Sequence, residues 1–433
     1  MIILVVGSGG REHALCWKLK QENANHVLHA APGNPGIAEL ATCHAVDLSD
    51  LNAIEQLARE LDVDFTIIGP EAPLAAGIVD LFRFKGLAVF GPTQGAAEIE
   101  TSKSFAKELM ARAGVPTARA EVFEDAVAAK QAVRSFGVPV VIKASGLAAG
   151  KGVIVSGSLA DADRAIDWML TDRAFGESSA EVLVEEFMEG EELSFFALTD
   201  GVSVLPLATS QDHKRLLAGD AGPNTGGMGA YSPISLSPGA VTEQVLLPTL
   251  RELARRDRKF TGLLYAGLMI ENGASRVVEF NCRFGDPETE AVLPVSMLEP
   301  SLGECLYSIA RGELLPAEAQ CTVKGFAVTT VLAAAGYPAK PVLGAEITIP
   351  RVPPNVLVFH AGTKRDDAGR LVVSGGRVLA VTGLGDTLED ARERSLDFAE
   401  AIEFEGKQYR ADIGFRELGR RADTETTKAK STT

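Results

Sequence analysis

Short apolar runs alternate with helical patterns along the first 100 residues of the chain. The predicted strands lie at 2–6, 27–30, 65–68 and 88–90, and the predicted helices lie at 11–20, 51–61 and 74–84. This alternation is typical of βαβ units, whose strands join one parallel sheet. The pattern therefore predicts a Rossmann-like N-terminal domain over residues 1–100.

The alternation ends near residue 100, and adjacent strands replace it. A capped helix is predicted at 101–114, because Gly114 and the proline that follows are typical stop signals. Further pairs of strands are predicted within 138–157 and 180–199, and two more strands at 263–270 and 276–281 flank Asn272-Gly273. The region 324–415 is rich in predicted strands and contains one late helix near 388–402. The dipeptide Asn-Gly between two strands indicates a tight hairpin.

These patterns predict a multidomain chain of the α/β and α+β classes. A central region is expected at 101–323, and a small strand-rich C-terminal domain at 324–420. The tail at 421–433 is polar and is predicted to be disordered.

Composition narrows the classes of function. The 433 residues include 42 basic and 58 acidic ones, and the net charge of −16 argues against general nucleic-acid binding. No run of about 18 apolar residues predicts a membrane span, and the apolar start ends at Val6, too early for a signal peptide. Five cysteines without a CxxC pair indicate free thiols in a reducing cytosol, so a cytoplasmic location is expected.

A glycine turn follows the first strand in LVVGSGGREHAL, residues 4–15. Gly7 and Gly9 fit the first two glycines of G-x-G-x-x-G, but Glu12 occupies the third position. The second strand also ends without an acidic residue to bind a ribose hydroxyl, which argues against a nicotinamide site. Two interpretations stay open, an anion site made of backbone N–H groups and a turn that merely needs glycine.

A second glycine-rich stretch reads KASGLAAGKGVIV, residues 143–155. It is not a Walker A loop, because Gly146 to Gly150 is one residue short and strands are predicted on both sides. A hairpin loop with Lys143 before it and Lys151 within it can fold over a triphosphate. The alternative is a flexible surface hairpin. A lysine that ends an apolar strand usually has an anionic partner, so phosphate binding is favoured.

The stretch VVEFNCRFGDPETE, residues 277–290, places charge at the end of an apolar strand. Residues two apart in a strand share a face, so Glu279, Asn281 and Arg283 are expected to project together. A carboxylate beside an amide oxygen suits Mg²⁺, and an adjacent arginine can hold a phosphate. The alternative is an acidic strand end paired with a surface arginine. The lysine-bearing loop elsewhere favours the metal interpretation.

Two other stretches carry weaker signals. VEEFMEGEELSF, residues 184–195, could supply the apolar wall and the acid of an adenine site, although by itself it is more typical of a solvated acidic turn. Residues 211–233 combine DHKR with a glycine cluster and show little pattern of secondary structure. Long loops of this kind are usually functional or disordered, and Met228 and Tyr231 favour a substrate-binding loop.

Taken in order, these motifs resemble those of the phosphoribosylamine–glycine ligases, a family of the ATP-grasp superfamily. The resemblance runs from residue 1 to about 420 through GSGGREHAL, APGNPG, GPEAPL, SKSFAK, KASGLAAGKGV, EEFMEGEE, DHKR, NTGGMGAYSP and EFNCRFGDPE. It implies an ATP-grasp central region with a mobile lid at 138–195. It also implies ligation of glycine to 5-phosphoribosylamine through a glycyl phosphate, with ATP and Mg²⁺ or Mn²⁺.

The resemblance also implies roles for individual residues. Glu279 and Asn281 would bind the metal, and Arg283 and Lys143 would be catalytic. The ATP-binding residues would be Lys103, Lys143, Gly146, Gly150, Lys151, Gly152, Glu185, Glu186, Met188 and Glu192. The residues that hold phosphoribosylamine or glycine would be Gly9, Gly10, Asn34, Glu71, Asp212 and Lys214, with help from Asp286 and Glu288.

Some alternatives stay open. The strand at 263–270 has no acid, whereas many ATP-grasp enzymes carry a second metal ligand there, which argues against a two-metal site with three protein ligands. The rival functions are a purine-pathway carboxylase or transformylase of the same superfamily, a Rossmann-type dehydrogenase and a ligand-sensing module. The expected partners are small molecules, without nucleic acid or membrane, and the expected state is a monomer or weak dimer.

Overall fold

Five parallel strands at the N-terminus form a sheet in the order β3-β2-β1-β4-β5. The strands are β1 Ile2–Gly7, β2 Val27–Pro32, β3 Thr42–Cys43, β4 Phe65–Ile68 and β5 Val89–Phe90, and the helices are α1 Gly10–Glu22, α2 Leu51–Glu60, α3 Glu71–Ala75, α4 Ile78–Phe84 and α5 Gln94–Thr101. Helices cover the sheet, so β1 and β4 are apolar along their length. The predicted Rossmann-like fold is confirmed in this computed structural model, which describes residues 1–148, 152–237 and 239–421.

One predicted helix of this region is wrong in its extent. The apolar pattern at 74–84 predicts a single helix, but the chain forms α3 and α4 with a break at Gly77, whose φ is 88°. Glycine adopts this left-handed conformation without the steric penalty of a Cβ, so it ends the first helix and starts the second.

Two four-stranded sheets build the central region. The first has the order β6-β9-β7-β8 and the second the order β11-β10-β16-β17. Their strands are β6 Ala120–Phe123, β7 Val140–Ala144, β8 Val153–Ser156, β9 Val182–Glu186, β10 Glu191–Thr199, β11 Val204–Pro206, β16 Gly262–Glu271 and β17 Ala274–Asn281, with helices α6 Lys103–Ala113, α7 Ala126–Phe136, α8 Leu159–Ile166 and α9 Leu247–Arg255. The hairpin predicted at Asn272-Gly273 is confirmed, since both residues have positive φ, 51° and 80°, as a type I′ turn requires.

The two sheets meet beside β17. The Val277 N–H donates to the Pro116 carbonyl at 2.7 Å, and the Thr117 hydroxyl donates to the Val277 carbonyl at 2.7 Å. From the first sheet, Lys143 Nζ donates to the Val278 carbonyl at 3.3 Å. The end of β17 therefore lies at the junction between the sheets.

The stretch at 211–233 is more structured than its pattern predicts. It forms the short strands β12 Gln211–Asp212, β13 Arg215–Leu217, β14 Ala221–Asn224 and β15 Gly229–Ser232. β15 pairs with a strand about 100 residues further along, with Gly229 opposite Thr330. β13 and β14 pair with each other, whereas β15 depends on a distant partner, which local periodicity does not reveal.

The C-terminal region adds a sheet in the order β12-β15-β20-β24-β21, which includes two strands from before residue 324. The remaining elements are α10 Glu288–Val295, β18 Ser296–Glu299, α11 Leu302–Ala310, β19 Gln320–Val323, β20 Phe326–Ala333, β21 Val356–His360, β22 Thr363–Arg365, β23 Leu371–Val373, β24 Arg377–Gly385 and α12 Leu388–Ala401. The late helix predicted near 388–402 is confirmed as α12, and the Thr387 side chain caps it by accepting from the Asp390 N–H.

The hydrophobic cores show which parts fold together. One core joins Val6 of β1, Leu264 of β16 and Val328 of β20, so the main sheets pack into one body. The sheet at 120–186 has its own core, which includes Val140 of β7 and Val184 of β9. Among the described residues no helix is long and apolar enough to cross a membrane. Some predictions concern residues outside the described part of the chain, namely Gly150, Lys151 and the tail beyond Arg421.

Candidate active site

Lys143 occupies the end of β7, where it lies 2.8 Å from the buried carboxylate of Glu185 on the neighbouring strand β9. Lys107 of α6 approaches the other oxygen of Glu185 at 3.4 Å. Burial, with Lys143 nearby, lowers the pKa of Lys107 to about 8, although Glu185 opposes the shift. Glu185 was predicted in the adenine hinge, and its carboxylate is placed between two lysines instead of in open solvent.

The glycine-rich loop begins against the start of α6. The Lys103 N–H donates to the Ser145 carbonyl at 2.8 Å, and Lys103 Nζ donates to the Gly146 carbonyl at 3.3 Å. A Cβ on Gly146 would lie 2.6 Å from Ser178 Cα, so this position accepts only glycine. Lys103 and Lys143 thus lie on either side of the described start of the loop.

Glu279 lies on β17 next to a bulge, facing a group of cations. Burial alone would raise the pKa of its carboxyl, but Lys214, Lys103, Lys143 and Arg283 outweigh this and hold that pKa below its ordinary value. Within the described parts of the chain, its carboxylate has neither an ion pair nor a hydrogen-bond partner. A negative group without a direct partner among four cations is suited to bind a metal ion that accompanies polyphosphate.

Asn281 and Arg283 follow Glu279 at the end of β17. Arg283 Nη2 donates to Asn281 Oδ1 at 3.2 Å and to Glu100 at 2.8 Å, and its Nε lies 3.4 Å from Glu71. Burial acts to lower the pKa of Arg283, yet Glu100 and Glu71 raise it overall, so the guanidinium is always charged. The structure brings together all three side chains predicted to share a face.

These donors fit a divalent cation only in part. Glu279 and Asn281 offer two hard oxygen atoms, and no group of three or more acidic, histidine or cysteine ligands occurs among the residues that the structure describes. Mg²⁺ commonly binds through one or two protein oxygens, with water and substrate phosphates completing its shell. Two protein oxygens would suit a metal ion that arrives with a phosphate substrate, which is the role predicted for Glu279 and Asn281.

A second polar cluster lies around Asp212 and Lys214. Lys214 forms an ion pair with Glu192. Burial raises the pKa of Asp212 to about 7, with Glu288 adding to the shift and Lys214 opposing it. Glu288 also accepts from the Tyr265 hydroxyl at 2.8 Å. Three of the predicted substrate residues and one predicted ribose ligand thus share one cluster, in which Glu288 is buried and Lys214 and Glu192 stay partly exposed.

Of the other predicted nucleotide residues, Glu186 ends β9 and Met188 lies just after it. The Glu186 carboxylate accepts from the Arg119 N–H at 3.0 Å and pairs with Arg276, and these contacts lower its pKa. Met188 is buried. The side chain of Glu186 is thereby engaged, so a contact of this residue with adenine would use its backbone.

At the glycine turn after β1, the chain supplies its own anion. The Gly9 N–H donates to the Glu12 carboxylate at 2.6 Å, and a Cβ on Gly7 or Gly69 would collide with that side chain. Glu12 therefore explains two of the glycines by close packing. Gly10 faces Glu290, and a Cβ there would collide with the Glu290 carboxyl.

Asn34 connects three segments of backbone. Its Nδ2 donates to the carbonyls of Ser8 at 2.9 Å and His360 at 2.7 Å, and its Oδ1 accepts from the N–H groups of Gly36 and Ile37. The amide group has no hydrogen-bonding capacity left. A substrate contact at this predicted position would therefore use the backbone.

Comparisons with known proteins identify the family of the chain. Three family models of phosphoribosylglycinamide synthetase match successive parts of the chain. The N domain matches residues 1–100, the ATP-grasp (A) domain 101–289 and the C domain 327–416. A phosphoribosylamine–glycine ligase of Ralstonia nicotianae is 48% identical over 426 residues, which span 97% of this chain and 100% of that relative. The chain belongs to the phosphoribosylamine–glycine ligase family.

Solved structures show how far the likeness extends. The crystal structure of a phosphoribosylamine–glycine ligase from Thermotoga maritima has a TM-score of 0.82 at 35% identity and covers 95% of this chain and 100% of that one. A biotin carboxylase from Campylobacter jejuni, in complex with an ATP analogue, has a TM-score of 0.71 at 17% identity and covers 94% and 92%. The second likeness concerns the fold alone.

Several residues at the site of this family member escaped sequence reasoning. Arg11 of α1 donates to the Phe284 carbonyl at 3.1 Å, which also accepts from Arg283 at 3.2 Å. Glu100 holds Arg283 and accepts from the Cys282 N–H at 2.8 Å. Arg11 lies within the predicted helix at 11–20, whereas Glu100 lies in α5, which was not predicted. A charged residue in a helix is usually interpreted as part of a solvated face. Only their burial distinguishes them.

Glu290 is an acidic side chain that is buried beside this site. It is fully buried, and within the described residues neither carboxyl oxygen has a hydrogen-bond partner. Burial, with Asp286 nearby, raises the pKa of Glu290 well above its ordinary value, so the folded protein keeps this carboxyl protonated. The unfolded chain releases this proton above about pH 4.5, whereas the folded chain keeps it. The stabilisation that comes from binding the proton in the folded state is therefore present at low pH and is lost as the pH rises toward the folded pKa.

Glu290→Gln removes this titration and preserves the shape of the side chain. We expect the variant to gain stability relative to the unsubstituted chain by about 1.4 kcal/mol per pH unit as the pH rises from 6 towards the folded pKa. Urea unfolding at pH 6, 7 and 8 measures the difference. The exposed control Glu318→Gln should show no such trend, and a constant difference for Glu290→Gln would contradict the buried neutral carboxyl.

Proposed function

We propose that the chain ligates glycine to 5-phosphoribosylamine at the expense of ATP, giving glycinamide ribonucleotide, ADP and phosphate. The observation that carries the proposal is the convergence of Lys103, Lys143, Glu279 and Arg283 at the end of β17. Three separate elements supply these residues. The family relationship over the whole chain supports the choice of substrates.

The reaction divides into two transfers. In the first, the glycine carboxylate attacks the γ-phosphorus of ATP, and ADP leaves with the electron pair of the broken P–O bond. In the second, the amine of phosphoribosylamine attacks the glycyl carbonyl, phosphate leaves and the amine loses a proton. Positioning and electrostatic stabilisation suffice for both transfers, so the protein need not supply a nucleophile.

Each cation at the site has a task in the first transfer. Lys103 and Lys143 hold phosphate oxygens, and the loop with Gly146, Gly150, Lys151 and Gly152 closes over them. Arg283 faces the transferring phosphoryl group, because its partners Glu100 and Asn281 fix the plane of the guanidinium. Fixed donors need no reorganisation as charge develops, which is the main source of electrostatic catalysis.

The metal belongs with the nucleotide. Glu279 and Asn281 would hold Mg²⁺ or Mn²⁺, which when bound neutralises phosphate charge and polarises the γ-phosphoryl group. Glu185, Glu186 and Met188 border the adenine, and Glu192 binds the ribose. The segment 138–195 would act as the mobile lid, and the separate core of the sheet to which most of it belongs supports this role.

The second transfer takes place toward the N-terminal sheet. Gly9, Gly10, Asn34 and Glu71 border one side of the substrate site there, and Asp212, Lys214, Asp286 and Glu288 border the other. Asp212, with a pKa of about 7, is able to accept the proton that the amine releases.

Coupled ADP release tests the substrate assignment. With ATP and Mg²⁺, we expect ADP release to require both glycine and freshly generated phosphoribosylamine, and glycinamide ribonucleotide to form in equal amount. Bicarbonate or formate in place of glycine should release none. ADP release that depends on either of these acids would instead support a carboxylase or transformylase of the same superfamily.

A further inference from the structure

Arg377 begins β24 of the C-terminal sheet, and its side chain reaches two loops of the central region. Nη1 donates to the Gly226 carbonyl at 2.6 Å and to the Asp286 carbonyl at 2.8 Å, and it lies 3.0 Å from the Asp286 carboxylate. One nitrogen of a C-terminal residue therefore connects the loop before β15 with the loop before α10. Neither the proposed chemistry nor the motifs account for this contact.

The Gly226 peptide is held from both sides. Its N–H donates to the Tyr337 hydroxyl at 2.9 Å, while its carbonyl accepts from Arg377. A Cβ on Gly226 would lie 3.2 Å from Arg377 Cζ and 3.3 Å from the Tyr337 oxygen, and a Cβ on Gly227 would lie 2.5 Å from Pro287 Cδ. The two loops and the two C-terminal side chains thus pack as one unit.

This unit touches residues predicted to bind substrate. The N–H and hydroxyl of Thr225 both donate to the Lys214 carbonyl, at 2.7 and 2.9 Å. Asp286 faces the start of α1, where a Cβ on Gly9 would lie 3.3 Å from its Oδ2. The unit therefore adjoins the glycine turn and Lys214.

The base of Arg377 is rigid. Its carbonyl accepts from the Gly362 N–H at 2.8 Å, and β24 pairs with both β20 and β21. A side chain anchored on a paired strand holds its partners more accurately than one on a loop. Burial acts to lower the pKa of Arg377, but the carboxylate of Asp286 outweighs it and raises that pKa overall, so the guanidinium stays charged.

We propose that Arg377 is a positioning residue for the amine substrate. It holds Asp286 and the loop at 225–227 against the start of α1, and so preforms the half of the site that receives 5-phosphoribosylamine. This inference rests on the proposed function and assigns to the C-terminal region a task in it. The nucleotide half of the site, built from Lys103, Lys143 and Glu185, does not depend on this contact.

Steady-state kinetics of Arg377→Gln and Arg377→Lys test the proposal. We expect the glutamine variant to raise the KM for phosphoribosylamine about tenfold or more and to leave the KM for ATP within twofold. The lysine variant should lie between, because it keeps the charge beside Asp286 but loses the fork of the guanidinium. The control Arg370→Gln removes an exposed arginine of the same region, paired with Asp366 and Glu346, and should change neither constant.

Titration calorimetry with ribose 5-phosphate supplies a readout independent of turnover. Binding should weaken about tenfold or more in Arg377→Gln, and Asp286→Asn should add little to that loss, because the two side chains act as a pair. The proposal would be overturned if the KM for phosphoribosylamine stayed at the wild-type value. It would also be overturned if the KM values for phosphoribosylamine and ATP rose together. If the glutamine variant shows no melting transition, the lysine variant decides by the same criteria.

Failure of the proposed function gives a different result. In that case the unsubstituted chain would release no ADP with glycine and phosphoribosylamine. The calorimetric comparison would still decide whether Arg377 organises a site for a sugar phosphate.

Discussion

Glu279→Gln is expected to lower kcat by about 10²–10³-fold while the protein stays folded. The substitution keeps the volume of the side chain and removes the negative charge that faces Lys214, Lys103 and Lys143. Without that charge the metal is held less tightly, and the cations lose the group that balances them. The concentration of Mg²⁺ needed for half-maximal activity should therefore rise together with the loss of kcat.

The experiment compares ADP release at several Mg²⁺ concentrations with thermal unfolding. Because the pKa of Glu279 is held below its ordinary value, its carboxylate stabilises the fold at neutral pH, and that contribution is lost only as the pH falls through the folded pKa. A small decrease in melting temperature is therefore expected at pH 7. Glu271→Gln, at the exposed end of the same hairpin, is the matched control. Normal turnover at low Mg²⁺ would refute the role of Glu279 as a ligand.

Arg283→Lys is expected to lower kcat by a similar factor, about 10²–10³-fold, with a smaller effect on the KM for ATP. The guanidinium contacts Glu100, Asn281 and the Phe284 carbonyl at once. A lysine keeps the charge but offers a single ammonium group, which does not satisfy these partners and also face a phosphoryl group. The loss should therefore fall on the transferring group more than on nucleotide binding.

Single-turnover measurement of ADP formation separates this effect from product release. The control Arg112→Lys changes an exposed arginine that pairs only with Glu108 on its own helix, and it should leave kcat unchanged. A kcat within twofold of the unsubstituted chain for Arg283→Lys would show that the arginine serves the fold and not the transfer.

Local patterns predicted the elements that depend on local physics. β1 is apolar on both faces because helices cover its sheet, and Asn272-Gly273 makes a hairpin because both residues adopt positive φ readily. Glu279, Asn281 and Arg283 were predicted together from alternation along a strand, and they do lie together although β17 ends at Asn281 and Arg283 follows it. In each case the pattern that carries the prediction lies within a few residues.

Contacts between distant segments could not be predicted in this way. β15 pairs with β20 about 100 residues further along, and the pattern of the stretch at 211–233 alone does not indicate this pairing. The partners of the predicted residues come from equally distant positions, Glu100 for Arg283 and Arg377 for Asp286. A charged residue in a helix or strand has the same local pattern whether its partner is water or a buried ion.

The sequence by itself determined the fold class, the order of the motifs and the kinds of side chain at the site. These follow from periodicity, turn chemistry and the donor atoms that each residue type carries. Only the tertiary structure decided that Glu185 lies between two lysines, that Glu12 fills the glycine turn and that Arg377 reaches the loop before α10. Such pairings depend on how separate layers pack, because a charged group that packing buries needs a partner of opposite charge or a hydrogen bond.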